Sequence, residues 1–572
     1  MTINLGSFST IDGFRVTSSA SNSHITAIGY ADVNGDGFKD ALFGSSGQSP
    51  AGRSSAGVAY VLYGSSNTFH DTDLAGLGAS KGCFIVGATA NDLTGWSIAG
   101  VGSLTSGSHY ESFLLGAPSF SGNGKAWLFK GAANFCSTGI IDLGNTLATS
   151  VVVKITGATT GDRLGSSVDG GDFDGDGHHD LLMTAWGSSS NNGKSYILYN
   201  DGTGFTSNID LSTLAYPAGV VISGRGSTSS PGFYAKSAGH FNNDNVTDIV
   251  AANIYEDYGS GGYGSAVIVI PPIGGLTSNI NLLSLSNTIG FLVTGSMNYR
   301  CGAAASSAGN NMVAIGCPGA GCVTVVTYDN STTYSTIGLP STSSYVQNIC
   351  SSSIVEQVGG ALSFGDFNND TLIDLLIGRP KASPNSLSDC GAAAVVYGQV
   401  TPANVTLGNL TAAQGFDIFG DTSLGEAGTY LGSLGDINGN GKEDFAIVDI
   451  DTVFMFCTGC GVLPVSGSTA SPSSSTIPSS STSTAGTSPT SPSPTSSTGT
   501  IPSSSTIPSS STDTSPTSTS HTSPSPTSLS TGGNNSPTSH PMGPVSSADH
   551  VEYSAAAMLV AAATLLIMGD IF

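Results

Sequence analysis

Charge is scarce in this 572-residue chain: Asp, Glu, Lys and Arg make up 9% of it, with only 15 Lys or Arg against 39 Asp or Glu. A net charge of -24 without a basic stripe leaves nothing to replace counterions on a phosphate backbone, which excludes nucleic acid as a partner. A sustained helical period is missing as well. In its place stand short apolar runs bounded by glycine, and 78 glycines in all, the pattern of an all-β chain. Met1 to Ile11 has neither a basic start nor an apolar core, so a secretory leader is read as missing from this sequence. The histidines form no ligand constellation, and no catalytic domain is expected before or after the repeats described below. Cysteine is moderate at nine, an odd number that leaves at least one thiol outside any pairing within the chain. Cys457 and Cys460 form a C-T-G-C that reads as a structural disulfide or as inert thiols rather than a redox motif, because no helix start follows it.

What the chain has is acidic loops of fixed spacing. Asp172, Asp174, Asp176 and Asp180 place side-chain oxygens at the first, third, fifth and ninth positions, with Gly177 at the sharp turn and the His178 carbonyl at the seventh. Carboxylates this close repel unless a hard cation sits between them, so the spacing points to calcium. The pattern returns in Asp32, Asn34, Asp36 and Asp40, with the Phe38 carbonyl. It returns again in Asp366, Asn368, Asp370 and Asp374, with that of Leu372, and in Asp436, Asn438, Asn440 and Asp444, with that of Lys442. A fifth copy keeps Asn242, Asp244 and Asp248 but opens on His240, a poor calcium ligand, and is expected to be the weakest site or empty. Each last ligand runs into an apolar stretch, as in Asp180-Leu-Leu-Met, so the loops are expected to join two strands of a hairpin rather than two helices.

The loops belong to a repeat of about 55 to 70 residues, of which seven copies are visible from their entry strands, such as Gly13-Phe-Arg-Val and Gly415-Phe-Asp-Ile. Two copies lack the acidic loop, one at Ser103 to Glu111 and one at about Ser306 to Asn311. Four-stranded units repeated about a ring bury their faces on one another, the logic of a β-propeller. The elements Leu115-Gly-Ala-Pro118, Ile315-Gly-Cys-Pro318 and Ile377-Gly-Arg-Pro380, with Leu164-Gly-Ser and Leu431-Gly-Ser, make the chain resemble the FG-GAP repeats of integrin α subunits. That resemblance implies a seven-bladed propeller over about residues 1–465, with calcium bound structurally on its lower face. Ile3-Asn-Leu is similar to Ile141-Asp-Leu, Ile209-Asp-Leu and Ile280-Asn-Leu, so the N-terminus is expected to close the ring on the last blade.

Residues 466–547 change composition to Ser, Thr and Pro, a tract that cannot bury enough apolar surface to fold and reads as a disordered, O-glycosylated stalk. Residues 548–572 end in an apolar run of about fourteen residues, short of the roughly twenty that cross a bilayer. Small residues and a polar spacer before it give the layout of a glycosylphosphatidylinositol signal with Ser546 as the attachment residue; a short membrane helix is the alternative. Asn330, Asn404 and Asn409 stand in N-glycosylation sequons.

These features together predict a calcium-binding adhesion or recognition protein, tied to the outer leaflet of the plasma membrane and binding an extracellular protein or glycan. Enzyme activity is not expected, and neither is an integrin β-type partner, since the chain has no leg domains or cytoplasmic tail. A propeller-based hydrolase or lyase and a calcium-dependent lectin are the alternatives. The ligand is expected on the face opposite the acidic loops, at Trp186, Arg225, Tyr234, Tyr255 and Tyr258, because aromatics and arginine dominate binding hot spots.

Overall fold

The second strand of each repeat has an apolar centre and is buried at nearly every position, as in Asp180–Ala185 and Asp374–Arg379, because both of its faces are covered. That requires sheets stacked face to face around a closed ring. The computed structural model describes residues 2–458, except 10–12, 21, 67–68, 120–121, 189–191, 226–232, 254–262, 297, 308–310, 331–333, 335, 340 and 402. The stalk, Cys460, Ser546, Tyr255 and Tyr258 lie outside the described residues.

Seven sheets form the blades. The first strands are Ala27–Ala31, Ile98–Gly102, Leu164–Gly171, Phe233–Gly239, Ala305–Ser307, Leu362–Gly365 and Leu431–Gly435 in blades one to seven. They line a central channel of about 670 Å³. Three further antiparallel strands follow outward in each blade; in blade three these are Asp180–Ala185, Lys194–Leu198 and Gly219–Ser223. Seven apolar clusters fill the gaps between neighbouring blades, Phe113, Phe129 and Trp127 of blade two packing on Val61 and Ile85 of blade one, for example.

Each sheet carries five strands rather than four. The chain leaving the third strand crosses to the outer edge of the preceding blade and pairs there in parallel, as Ile209–Asp210 does with Ile155 and Thr156. In these short segments the Asp or Asn side chain caps the turn that follows, Asn4 accepting from Gly6, Asp73 from Ala75, Asp210 from Ser212 and Asn281 from Leu283. The next leucine is buried in each case: Leu5, Leu74, Leu211 and Leu282. The Ile-Asp-Leu spacers are thus staples between blades.

The N-terminus closes the ring twice. Thr2–Asn4 is the fifth strand of blade six, and Gly13–Thr17 is the fourth of blade seven, paired with Thr452–Phe456. Disulfides join Cys83 to Cys136, Cys301 to Cys317 and Cys322 to Cys350; Cys457 is also disulfide-bonded, and Cys390 is a buried free thiol.

Candidate metal centre

The acidic loops join the first and second strands of blades one, three, four, six and seven, and those of blades one, three, six and seven share one hydrogen-bond scheme dictated by their first residue. Asp172 Oδ1 accepts from the N–H groups of Gly175 and Asp176 at 2.6 and 3.1 Å, and its Oδ2 from Gly177 at 2.8 Å. Asp32 does the same with Gly35, Asp36 and Gly37, Asp366 with Asp370 and Thr371, and Asp436 with Asn440 and Gly441. The chain wraps the carboxylate by turning left-handed at the fourth and sixth positions, φ being 76° at Gly175 and 89° at Gly177.

The ninth residue opens the second strand and is fully buried: Asp40, Asp180, Asp248, Asp374 and Asp444. Its Oδ2 accepts from the second or third residue of its loop, as from Phe173 at 2.8 Å. Its Oδ1 accepts from an N–H just past the third strand, at Gly64, Asn200, Gly398 and Thr458. No ion pair among the described residues neutralises these carboxylates. Burial above all pushes them up, to about 8 at Asp40, Asp180 and Asp248 and to about 7 at Asp374 and Asp444, with the loop's other aspartates adding to the rise in each case.

The donors are hard oxygens, and in blade three one carboxylate oxygen each of Asp172, Asp174 and Asp176 lie within 4.8 Å of one another. A hard divalent cation fits such a set, which is otherwise a concentration of unneutralised charge.

The loop of blade four departs from this scheme in three places. His240 cannot gather the loop's N–H groups as a carboxylate does, and its ring Nδ1 lies 3.1 Å from the Val246 carbonyl instead. Asn243 at the fourth position is left-handed with φ of 62°, but Asn245 at the sixth is not among the left-handed residues. Past the third strand, Pro271 stands where the other blades present an N–H, and Asp248 Oδ1 is left buried without a hydrogen-bond partner.

Blade two lacks the carboxylate scheme, and Ser103 closes its turn by donating to the carbonyls of Thr105 and Ser108. Its Glu111 braces blade one: Oε2 accepts from the Asp32 N–H at 2.9 Å and Oε1 binds Lys39 Nζ at 2.5 Å. Adjacent loops are also tied by backbone, Lys39 donating to the Asp436 carbonyl, Glu111 to that of Asp32 and Thr247 to that of Asp172. Glu111 is invisible to a search for loop spacing because its partners are 72 and 79 residues away.

Blade six places Thr371, with φ of 72°, where the other three complete loops have glycine. A β-branched residue in this conformation costs on the order of 1–2 kcal/mol, so Thr371→Gly is expected to stabilise the propeller by about 1 kcal/mol after the extra chain entropy of glycine. A urea midpoint below that of the native chain would show that the threonine makes a compensating contact.

On the opposite rim the second strands end and the first strands begin. Trp186 follows Asp180–Ala185 there and is stacked by Arg163, whose guanidinium carbon lies 4.1 Å from the ring centroid. Arg225 turns outward instead and donates to the Leu282 carbonyl at 2.9 Å. The Tyr234 hydroxyl is buried without a hydrogen-bond partner, with its ring against the cluster between blades four and five. Trp186 and Arg225 are thus each held by another part of the chain, and Tyr234 is packed against a core cluster. Asn330, Asn404 and Asn409 are all exposed, and the Asn404 Oδ1 accepts from the Asn348 N–H.

Among comparisons with known proteins, residues 164–198, which span the acidic loop of blade three, match the family model described as FG-GAP repeat. No curated protein matches the chain. The solved structure titled "Crystal structure of BBS1N in complex with ARL6DN, soaked with mercury" aligns over 79% of this chain and 98% of that one, at 10% identity and a TM-score of 0.40. The matched repeat lies in an all-β ring of seven blades. The protein fits an integrin α-like N-terminal propeller.

Proposed function

We propose that this protein is a calcium-binding adhesion or recognition protein of the cell surface, its propeller serving as a head that binds an extracellular protein or glycan. The observation that supports this reading best is the separation of the two rims. One rim is occupied by acidic, mutually hydrogen-bonded loops that stiffen the ring, which leaves the second-to-third and fourth-to-first connections of the other to carry recognition. Four loops hold calcium, in blades one, three, six and seven, and the blade-four loop is degenerate. The Ser/Thr/Pro tract is a glycosylated stalk, and a lipid anchor at Ser546 ties it to the membrane; Asn330, Asn404 and Asn409 carry glycans. The calcium is structural, and the protein is not an enzyme.

The test is a screen of the protein in about 1 mM calcium, an extracellular level, against cells, matrix proteins and a glycan array, repeated with Trp186→Ala and Arg225→Ala. Saturable binding reduced roughly tenfold or more by either change, at an unchanged melting temperature, is the expected result. Glycan binding alone would make the protein a lectin. No binding, together with turnover of a glycosidic or ester substrate, would overturn the reading in favour of a propeller hydrolase or lyase.

A further inference from the structure

A buried carboxylate at the seam of blades six and seven has no counter-charge, and it lies on the rim opposite the acidic loops. Asp449 ends the second strand of blade seven and is 4% exposed, and neither of its carboxylate oxygens has a hydrogen-bond partner. Asp421, on the fourth-to-first connection from blade six, faces it with both backbone and carboxyl group but does not meet hydrogen-bond geometry.

Corresponding seams show what is missing. In the connection that begins at Gly87, the sixth residue is Asp92, 3% exposed, which accepts from the Thr89 N–H at 3.0 Å and binds Lys125 Nζ at 2.9 and 3.1 Å. In the one that begins at Gly157 the sixth is Asp162, 2% exposed, accepting from the N–H and hydroxyl of Thr159. In the connection that begins at Gly420 the sixth residue is Gly425, and a Cβ there would fall 2.2 Å from Asp449 Oδ1 and 2.8 Å from the Thr422 carbonyl. The Asp449 carboxylate has thus entered, from the end of its strand, the space filled elsewhere by Asp92 or Asp162. The ammonium has gone as well: Lys125 begins the third strand of blade two, and Thr452 begins that of blade seven. Other charged groups of this region are engaged elsewhere, Lys381 with Glu426, Arg379 with Glu356 and Asp417, and His24 with Asp451.

We propose that Asp421, Asp449 and the Thr422 carbonyl form a site for a hard divalent cation on the rim assigned to recognition, with the ion replacing the ammonium that Lys125 supplies in blade two. Two carboxylates and a carbonyl leave coordination positions open to water, and so to an oxygen of a ligand. This site rests on its own residues and does not require that the acidic loops bind metal.

The test counts calcium on the full chain by equilibrium dialysis at about 1 mM, for the native protein, Asp449→Asn and Thr452→Lys. Asp449→Asn is expected to bind one ion fewer per chain, whatever the loops contribute. Thr452→Lys, which restores the blade-two arrangement, is expected to lose the same ion while melting in chelator at or above the native temperature. It also keeps the question answerable if Asp449→Asn fails to fold. Equal ion counts in the native protein and both variants would overturn the proposal and leave a proton shared between Asp421 and Asp449.

Discussion

Chelating calcium is expected to lower the melting temperature of the propeller by about 5 °C, and by more at high pH than at low. Extracellular calcium loops bind at about 0.1 to 1 mM, so a dissociation constant near 0.1 mM gives each loop roughly 1.4 kcal/mol at 1 mM calcium. Four independent loops contribute roughly 5 to 6 kcal/mol, comparable to the whole net stability of many domains. An unfolding entropy of about 2.1 cal/mol/K per residue, over some 450 residues, converts this at about 1 °C per kcal/mol.

The pH dependence follows from the buried ninth residues. Without metal the folded carboxyls of Asp40 and Asp180 are raised to about 8 and those of Asp374 and Asp444 to about 7, chiefly by burial. The folded state therefore holds protons that the unfolded chain has released. The stability they confer is present below about pH 4 and is lost as pH climbs through 7 and 8. Calcium binds the deprotonated form, so the chelated protein should melt progressively lower between pH 6 and 8.5, while the calcium-loaded protein should change little. Asp172→Ala should remove part of the calcium gap, and His240→Ala should leave it unchanged. Equal melting temperatures in calcium and chelator across this range would sink the metal assignment.

The ring itself was legible because its repeat is written in glycines and apolar runs. The glycines of the Gly-Ala-Pro and Phe-Gly elements meet each other across the blade gaps. A Cβ on Gly116 would lie 2.0 Å from the Gly165 carbonyl, and one on Gly378 would lie 2.1 Å from that of Gly428, which takes in blade seven the place of Gly165; the expected Leu431-Gly-Ser element does not, its Gly432 facing Ile28 instead. Residue types that space neighbouring blades must recur once per blade, and that recurrence is what a reader of the sequence sees. The fifth strands were not legible as strands, since Thr72–Asp73 and Ile209–Asp210 are two residues long and too short for any period to register. Their capping Asp or Asn and buried Leu were visible only as spacers. The candidate loops could be read from local spacing alone, because all their ligands lie within nine residues. The orientations of Trp186 and Arg225 could not, because Arg163 and the Leu282 carbonyl reach them from other turns of the chain.

Arg379→Ala is expected to destabilise the propeller by about 3 to 5 kcal/mol, the largest effect of any single substitution outside the loops. The sequence holds a signal for this residue. Ile377-Gly-Arg-Pro380 places a long cation where the corresponding elements have Ala117 or Cys317. At the end of the second strand of blade six, Arg379 is 4% exposed, and its guanidinium forks between two carboxylates. Nε and one terminal nitrogen donate to Glu356 Oε2 at 3.0 and 2.9 Å, and the other terminal nitrogen donates to Asp417 Oδ1 at 2.6 Å. Asp417 lies on the fourth strand of the same blade and Glu356 on the connection entering it, so one side chain ties three segments together. Burial already raises the Asp417 carboxyl, and Arg379 opposes that rise; removing the cation leaves the buried Asp417 carboxylate beside the half-buried one of Glu356 with no positive charge between them. Lysine keeps the charge but not the planar fork, so Arg379→Lys should lose roughly half as much. The triple change Arg379→Met with Asp417→Leu and Glu356→Leu should recover most of the loss, because it replaces the cation and both of its carboxylates and so leaves no unpaired charge. Urea midpoints of the four proteins decide the matter. A loss under about 1 kcal/mol for Arg379→Ala would mean that water enters the seam and solvates Asp417, and that the buried ion pair adds little to holding blade six together.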